Sequence, residues 1–164
     1  MDNIILIGMP GAGKSTLGVL LAKAMGKFFI DTDIIIQQKT KRLLQDIIDN
    51  DGTEAFLKLE EDILMSVDEK NTVIATGGSA VYSEKAMEHF RKNGKIVYLH
   101  VDFSEIEKRV TNITTRGIVL KNGRSLSDAF DERKPLYDRY ADITIDCTGS
   151  TIENSVRMLI EKLS

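Results

Sequence analysis

The stretch Gly8-Met9-Pro10-Gly11-Ala12-Gly13-Lys14-Ser15 constrains this chain more than any other. It follows the apolar run Ile4 to Ile7 and leads into Thr16-Leu17-Gly18-Val19-Leu20-Leu21-Ala22-Lys23, so it reads as strand, glycine-rich turn and helix. In that setting the pattern G-x-x-x-x-G-K-[ST] cradles phosphate. Glycines let backbone N–H groups converge on anionic oxygens, and the free N–H groups and dipole of the following helix favour the same charge. Gly11, Ala12, Gly13 and Thr16 lie where backbone donors are needed, Lys14 would reach the β- and γ-phosphates, and Ser15 would ligate a divalent cation. The alternative is an ordinary bend, which gives Gly13-Lys14-Ser15 no task. A dinucleotide G-x-G-x-x-G turn gives it none either.

At 164 residues and 42% hydrophobic, the chain can bury one sizeable core and is short for two, so a single domain over 1–164 is expected. A net charge of −3 argues against general attraction to nucleic acid, although a local basic pocket could still hold an anion. The single cysteine, Cys147, excludes an intramolecular disulfide and is read as a small apolar filler. Neither an apolar leader nor a run of membrane-spanning length is visible, so a soluble, cytoplasmic protein without membrane partners is expected.

Apolar runs at Asn3 to Gly8, Phe28 to Ile30, Thr72 to Ala75, Lys95 to Val101 and Ile143 to Ile145 alternate with helical patterns. This predicts an α/β fold: a three-layer domain around a central five-stranded parallel sheet. The second strand ends in Asp31-Thr32-Asp33, whose two acids can stand beside the phosphate loop. One could hold the water shell of Mg²⁺ and the other could bind a substrate hydroxyl; alternatively, Asp33 caps the helix that follows. Between Leu43 and Val67 two helical segments break at Asn50-Asp51-Gly52, and in the second Phe56, Leu59, Ile63 and Val67 form the expected core stripe. Leu57, Glu60 and Glu61 fall off that stripe. Gly77-Gly78-Ser79 ends the third strand, where paired glycines allow a ligand to approach. No acid stands there, which favours Asp31 for the metal side. With only His89 and His100 there is no histidine ligand cluster, and both are read as structural or solvated. The stretch of about 111–124 carries cations, including Arg116, with little periodicity. It reads as a lid that closes over nucleotide, or as a solvated surface loop.

Taken together, these motifs resemble the shikimate kinase family, small P-loop kinases that move the ATP γ-phosphate to the 3-hydroxyl of shikimate. The resemblance spans the whole chain. It implies ATP and Mg²⁺ as cofactors, with Ser15 and Asp31 on the metal and Asp33 on the substrate hydroxyls as base or positioner. It further implies Arg109 stacked on adenine, Arg116 as the lid cation on the phosphates, and Arg133 of Arg133-Lys134-Pro135-Leu136-Tyr137 on the substrate carboxylate. Lys14, Asp33 and Arg116 would be the catalytic set, and Gly77, Gly78 and Ser79 would line the acceptor. Three positions depart from the family pattern. Leu57 replaces the second carboxylate-binding arginine of Phe-Arg-x-x-Glu, Ser79 replaces the third glycine, and Gly117 replaces the lid proline. Glu60 is left with Arg133 as its only obvious partner. A small-molecule kinase acting as a monomer is therefore expected. Its alternatives are a kinase of the same fold acting on another polyol or hydroxy acid, and a catalytically impaired ATP-binding regulatory protein.

Overall fold

A computed structural model describes residues 2–110, 118–120 and 123–164. Five strands, β1 (Asn3–Ile7), β2 (Phe28–Asp31), β3 (Thr72–Ala75), β4 (Gly94–His100) and β5 (Ile143–Asp146), form one sheet in the order β2-β3-β1-β4-β5. Every neighbouring pair is parallel. Parallel strands are covered on both faces, which explains why β1 is a continuous buried run, Asn3-Ile4-Ile5-Leu6-Ile7. The expected five-stranded parallel sheet is therefore present.

Eight helices connect and cover the strands among the described residues: α1 (Lys14–Met25), α2 (Thr32–Thr40), α3 (Leu44–Asp51), α4 (Thr53–Ser66), α5 (Glu84–Asn93), α6 (Phe103–Arg109), α7 (Leu126–Tyr140) and α8 (Ile152–Leu163). The chain leaves β1 toward β2 and leaves the adjacent β3 toward β4, so right-handed crossovers place the two connections on opposite faces. A crevice opens between such diverging loops at the carboxyl ends of the strands. The phosphate loop follows β1 and Gly77-Gly78-Ser79 follows β3, so topology alone brings these two segments together. Helix α1 lies close on the sheet because Gly18 has no side chain. A Cβ there would meet the Phe29 ring at 2.7 Å and Leu6 at 3.3 Å.

Some local expectations change. The cap of α2 is Asp31, whose Oδ1 accepts from the backbone N–H of Asp33 at 2.9 Å and of Ile34 at 3.3 Å. Asp33 therefore sits inside the first turn with its carboxylate released for other work. On α4 the buried row is Phe56, Glu60, Ile63 and Leu64, and Leu59 is only half-buried. An acid thus takes a place in the core stripe. Cys147 is buried as expected. His89 Nε2 lies 2.7 Å from the Val67 carbonyl, and His100 lies between Tyr98 and Asp102. No helix among the described residues is long and apolar enough to cross a membrane.

Candidate active site

At the turn after β1, Gly13 takes φ 95° at the start of α1, a backbone conformation that disfavours side chains. Lys14 is 8% exposed, and its Nζ donates to the carbonyls of Gly8 at 2.7 Å and Met9 at 2.8 Å. These bonds hold the ammonium group over the loop. Beside it, Ser15 Oγ donates to Asp31 Oδ2 at 2.5 Å. Asp31 thus anchors α2 with one oxygen and the phosphate loop with the other. Its oxygen and the Ser15 hydroxyl form a hard-donor pair of the kind Mg²⁺ prefers, and this pair sits at the end of a phosphate cradle. The donor chemistry fits the ion.

A cleft of about 540 Å³ lies over the loop, lined by Gly11, Gly13, Lys14, Ser15, Thr16, Asp33, Gly77, Gly78, Ser79 and Arg109. A second cavity of about 320 Å³ adjoins it, bounded by Ala12, Gly13, Thr16, Arg109, Cys147 and Ile152. Arg109 borders both. It donates to the Gly11 carbonyl at 3.0 Å and pairs with Glu105 at 2.7 Å, which ties α6 to the phosphate loop.

Two carboxyl groups meet the strip after β3. A Cβ on Gly77 would stand 2.7 Å from Asp33 Oδ1 and 3.0 Å from Glu60 Oε2. Burial pushes the Asp33 carboxyl up to about 6, the nearby Asp31 charge adds to this, and Lys14 opposes it. Glu60 is 2% exposed, and burial pushes it up to about 7. Its Oε1 accepts from Ser79 Oγ at 2.7 Å, while Oε2 is buried without a partner. The expected Glu60–Arg133 pairing is therefore replaced by Glu60–Ser79. Arg133 is 1% exposed; it donates Nε to Tyr82 Oη at 3.1 Å and Nη2 to the Val119 carbonyl. Its Nη1 has no partner and lies 3.2 Å from where a Cβ on Gly78 would be. Tyr137 Oη donates to the Gly78 carbonyl at 2.6 Å and fixes the strip from below.

The structure thus gathers nearly all of the sequence-derived residues. Gly11, Gly13, Lys14, Ser15, Thr16, Asp33, Gly77, Gly78, Ser79 and Arg109 share one cleft, with Ala12 on the adjoining cavity. Asp31 joins through Ser15, and Arg133 through Gly78. Leu57 is the exception. It packs against the small cluster of Ile36, Leu44, Ile47, Phe56, Ile63 and Val119, and it borders a neighbouring groove with Glu60, Ser79 and Tyr82. Arg116 and most of the expected lid lie outside the described residues. Of that stretch, Ile118 and Val119 are buried and line the cleft. Sequence reasoning named Glu60 only as a partner of Arg133 and set it off the apolar stripe; the available signal for its buried place beside Gly77 was an acid within an otherwise apolar helical row.

The profile of the family described as "Shikimate kinase" matches residues 10–164. The chain belongs to the shikimate kinase family. A shikimate kinase of Francisella tularensis subsp. novicida is 34% identical over 161 residues, covering 96% of this chain and 92% of the relative. One from Francisella philomiragia is 35% identical over the same span. Among solved structures, the shikimate kinase of Acinetobacter baumannii in complex with shikimate superposes with a TM-score of 0.90 at 28% identity, covering 99% of this chain and 93% of that one. That of Aquifex aeolicus superposes at 0.82 with 27% identity, covering 98% and 95%. Family members are ATP-dependent phosphotransferases of aromatic amino acid biosynthesis, and the parallel sheet and phosphate loop described above are this family's architecture.

Proposed function

We propose that this family member transfers the γ-phosphoryl group of ATP to the 3-hydroxyl of shikimate, with Lys14 and Asp33 as the groups closest to the chemistry. The observation that carries the reading is the meeting of three elements on one cleft: the phosphate loop, the Asp33 carboxyl and the Gly77-Gly78 strip with Arg133 behind it.

In this reading Gly11 to Thr16 hold the phosphates by backbone N–H groups, and Lys14 Nζ leaves the Gly8 and Met9 carbonyls to neutralise the β,γ-oxygens. Ser15 and Asp31 would hold Mg²⁺, which would supply charge neutralisation on the phosphates. Asp33 orients the acceptor hydroxyl and takes its proton. A carboxyl that titrates near 6 is a better base than an ordinary aspartate and is still ionised at neutral pH. Arg133 Nη1 pairs with the acceptor carboxylate at the other end of the strip. Arg109 lies against the adenine in the cavity beside Cys147 and Ile152. Arg116, on the stretch of about 111–124, supplies a cation to the transferred phosphoryl group, and the chain acts as a monomer in the cytoplasm.

The test is ADP release with Mg·ATP and titrated shikimate, quinate and polyols without a carboxylate. Saturable turnover with shikimate supports the reading, and none with shikimate but turnover of another polyol refutes it. Leu57 favours one second reading, a hydroxylated acceptor lacking a carboxylate, because the family's second carboxylate-binding arginine is absent there.

A further inference from the structure

The two arms of the cleft lose their ladder where the sheet ends. Strands β1 and β3 pair up to Leu6 and Ala75, and Thr76 adds two last bonds to the Leu6 carbonyl, from its N–H at 3.2 Å and its Oγ at 2.8 Å. Past that point no hydrogen bond among the described residues joins Met9, Pro10 or Gly11 directly to Gly77-Gly78-Ser79. The Gly77 carbonyl accepts from the Ala80 N–H at 3.2 Å and the Ser79 carbonyl from the Tyr82 N–H at 3.1 Å, so both serve the turn that follows. The carbonyl between them is taken from a distant helix. Tyr137 of α7 donates its Oη–H to the Gly78 carbonyl at 2.6 Å.

Tyr137 is 1% exposed, and its ring stacks on Tyr98 with centroids 5.0 Å apart. A phenylalanine would fill that space equally well, so packing alone does not call for the hydroxyl. A buried hydroxyl needs a partner, and this one finds it on the acceptor arm. On its other side the same oxygen lies 3.8 Å from Met9 Sδ of the phosphate loop. Met9 is fixed in turn, because its carbonyl accepts from Lys14 Nζ at 2.8 Å and from the Ala12 N–H at 3.1 Å. Gly78 also lies against that loop: a Cβ there would stand 2.7 Å from Pro10 Cδ. One hydroxyl thus touches both arms where they approach each other.

Resting on the reading of shikimate as acceptor, we propose that Tyr137 is a positioning residue for phosphoryl transfer: its hydroxyl sets the spacing between the phosphate loop and the strip that carries the acceptor. Transfer forms a bond from the acceptor oxygen to the γ-phosphorus, breaks the bond from that phosphorus to the β,γ-bridging oxygen, and sends the hydroxyl proton to Asp33. The reacting atoms must start about 3–3.5 Å apart and in line, so a small shift of the strip is felt in the rate. Without the Tyr137 hydroxyl, the Gly78 carbonyl loses its partner and the strip is free to move off the loop. The acceptor then reaches the γ-phosphate less often, and water takes its place, giving ADP and free phosphate. Burial pushes the Tyr137 hydroxyl above its ordinary value, with Arg133 opposing, so it remains a donor at neutral pH.

The experiment follows ADP and shikimate 3-phosphate together, at saturating Mg·ATP and shikimate, in wild type, Tyr137→Phe and Tyr98→Phe. Tyr98→Phe is the control for losing a hydroxyl from the same stacked pair, since Tyr98 Oη lies 3.1 Å from His100 Nδ1. In Tyr137→Phe, formation of shikimate 3-phosphate slows roughly tenfold, ADP appears in excess of it, and the KM for ATP is unchanged. Tyr98→Phe keeps the wild-type rate and equimolar products. Gly78→Ala widens the same gap by pressing a Cβ on Pro10, and it too releases excess ADP. Equimolar products in Tyr137→Phe, whatever its rate, or the same excess of ADP in Tyr98→Phe, would overturn the role of Tyr137 alone. Should Tyr137→Phe fail to fold, equimolar products in Gly78→Ala overturn it instead. Absence of shikimate turnover by wild type overturns this role together with the acceptor reading.

Discussion

Replacing Gly77 by alanine tests how tightly the two carboxyl groups define the acceptor strip. The added Cβ would stand 2.7 Å from Asp33 Oδ1 and 3.0 Å from Glu60 Oε2, against 3.4 Å or more for an ordinary contact. Neither oxygen can yield freely. Asp33 sits in the first turn of α2, whose start is pinned by Asp31, and Glu60 is tethered by Ser79. Relief therefore requires moving Asp33 by at least several tenths of an ångström. A misplacement approaching 1 Å in a positioned catalytic group costs about 100-fold in rate, so kcat is expected to fall by roughly 10- to 100-fold. Overpacking of a buried site costs about 1–3 kcal/mol, which lowers Tm by roughly 2–9 °C in a chain of this size. Steady-state kinetics with saturating ATP and shikimate, alongside a calorimetric melt, measures both. A Gly77→Ala protein that keeps kcat within threefold of wild type and melts at the same temperature would show that the strip is not confined by Asp33 and Glu60.

Other consequences can be measured separately. Lys14→Ala removes the cation held over the loop and should cut kcat by at least about 100-fold with little loss of Tm, read by ADP release and a melt. Asp31→Ala removes both a helix cap, worth about 1 kcal/mol, and the Ser15 bond, so Tm falls and the Mg²⁺ concentration for half-maximal rate rises several-fold. On the acid side, kcat/KM for shikimate falls as pH drops through about 6, where Asp33 of the free enzyme takes up its proton. Stability has the opposite slope for Glu60. Below its ordinary value of 4.5 both folded and unfolded chains are protonated, and as pH rises toward about 7 the unfolded chain releases the proton first. Wild type should therefore lose roughly 3 kcal/mol relative to Glu60→Gln between those limits, measured by urea unfolding at pH 4.5 and 7.5. Leu57→Arg should lower the KM for shikimate by about one to two orders of magnitude if the new guanidinium reaches the carboxylate; an unchanged KM places position 57 outside the acceptor site.

Local patterns proved legible where the physics is local. A strand, a glycine turn and Lys14-Ser15 specify the phosphate loop within one short segment, and alternation of apolar runs with helical periods specifies a parallel sheet. The cap of α2 was less legible, because Asp31 and Asp33 are both acids at a strand end and only the backbone direction decides which caps. Glu60 was hidden for a different reason. Helical spacing puts position 60 on the apolar stripe, four residues from Phe56 and from Leu64, but an acid is ordinarily read as facing solvent, and its partners Ser79 and Asp33 come from distant segments that the sheet topology brings together. Arg133 is similar: its motif was visible, but its hold on Tyr82 and Val119 depends on tertiary packing.

Product identification tests the central claim most directly. The chain is incubated with Mg·ATP and shikimate, and the products are followed by phosphorus NMR and mass spectrometry. Equimolar ADP and shikimate 3-phosphate are expected. ADP formed with free phosphate and unmodified shikimate, or no consumption of ATP at saturating shikimate, would contradict the assignment.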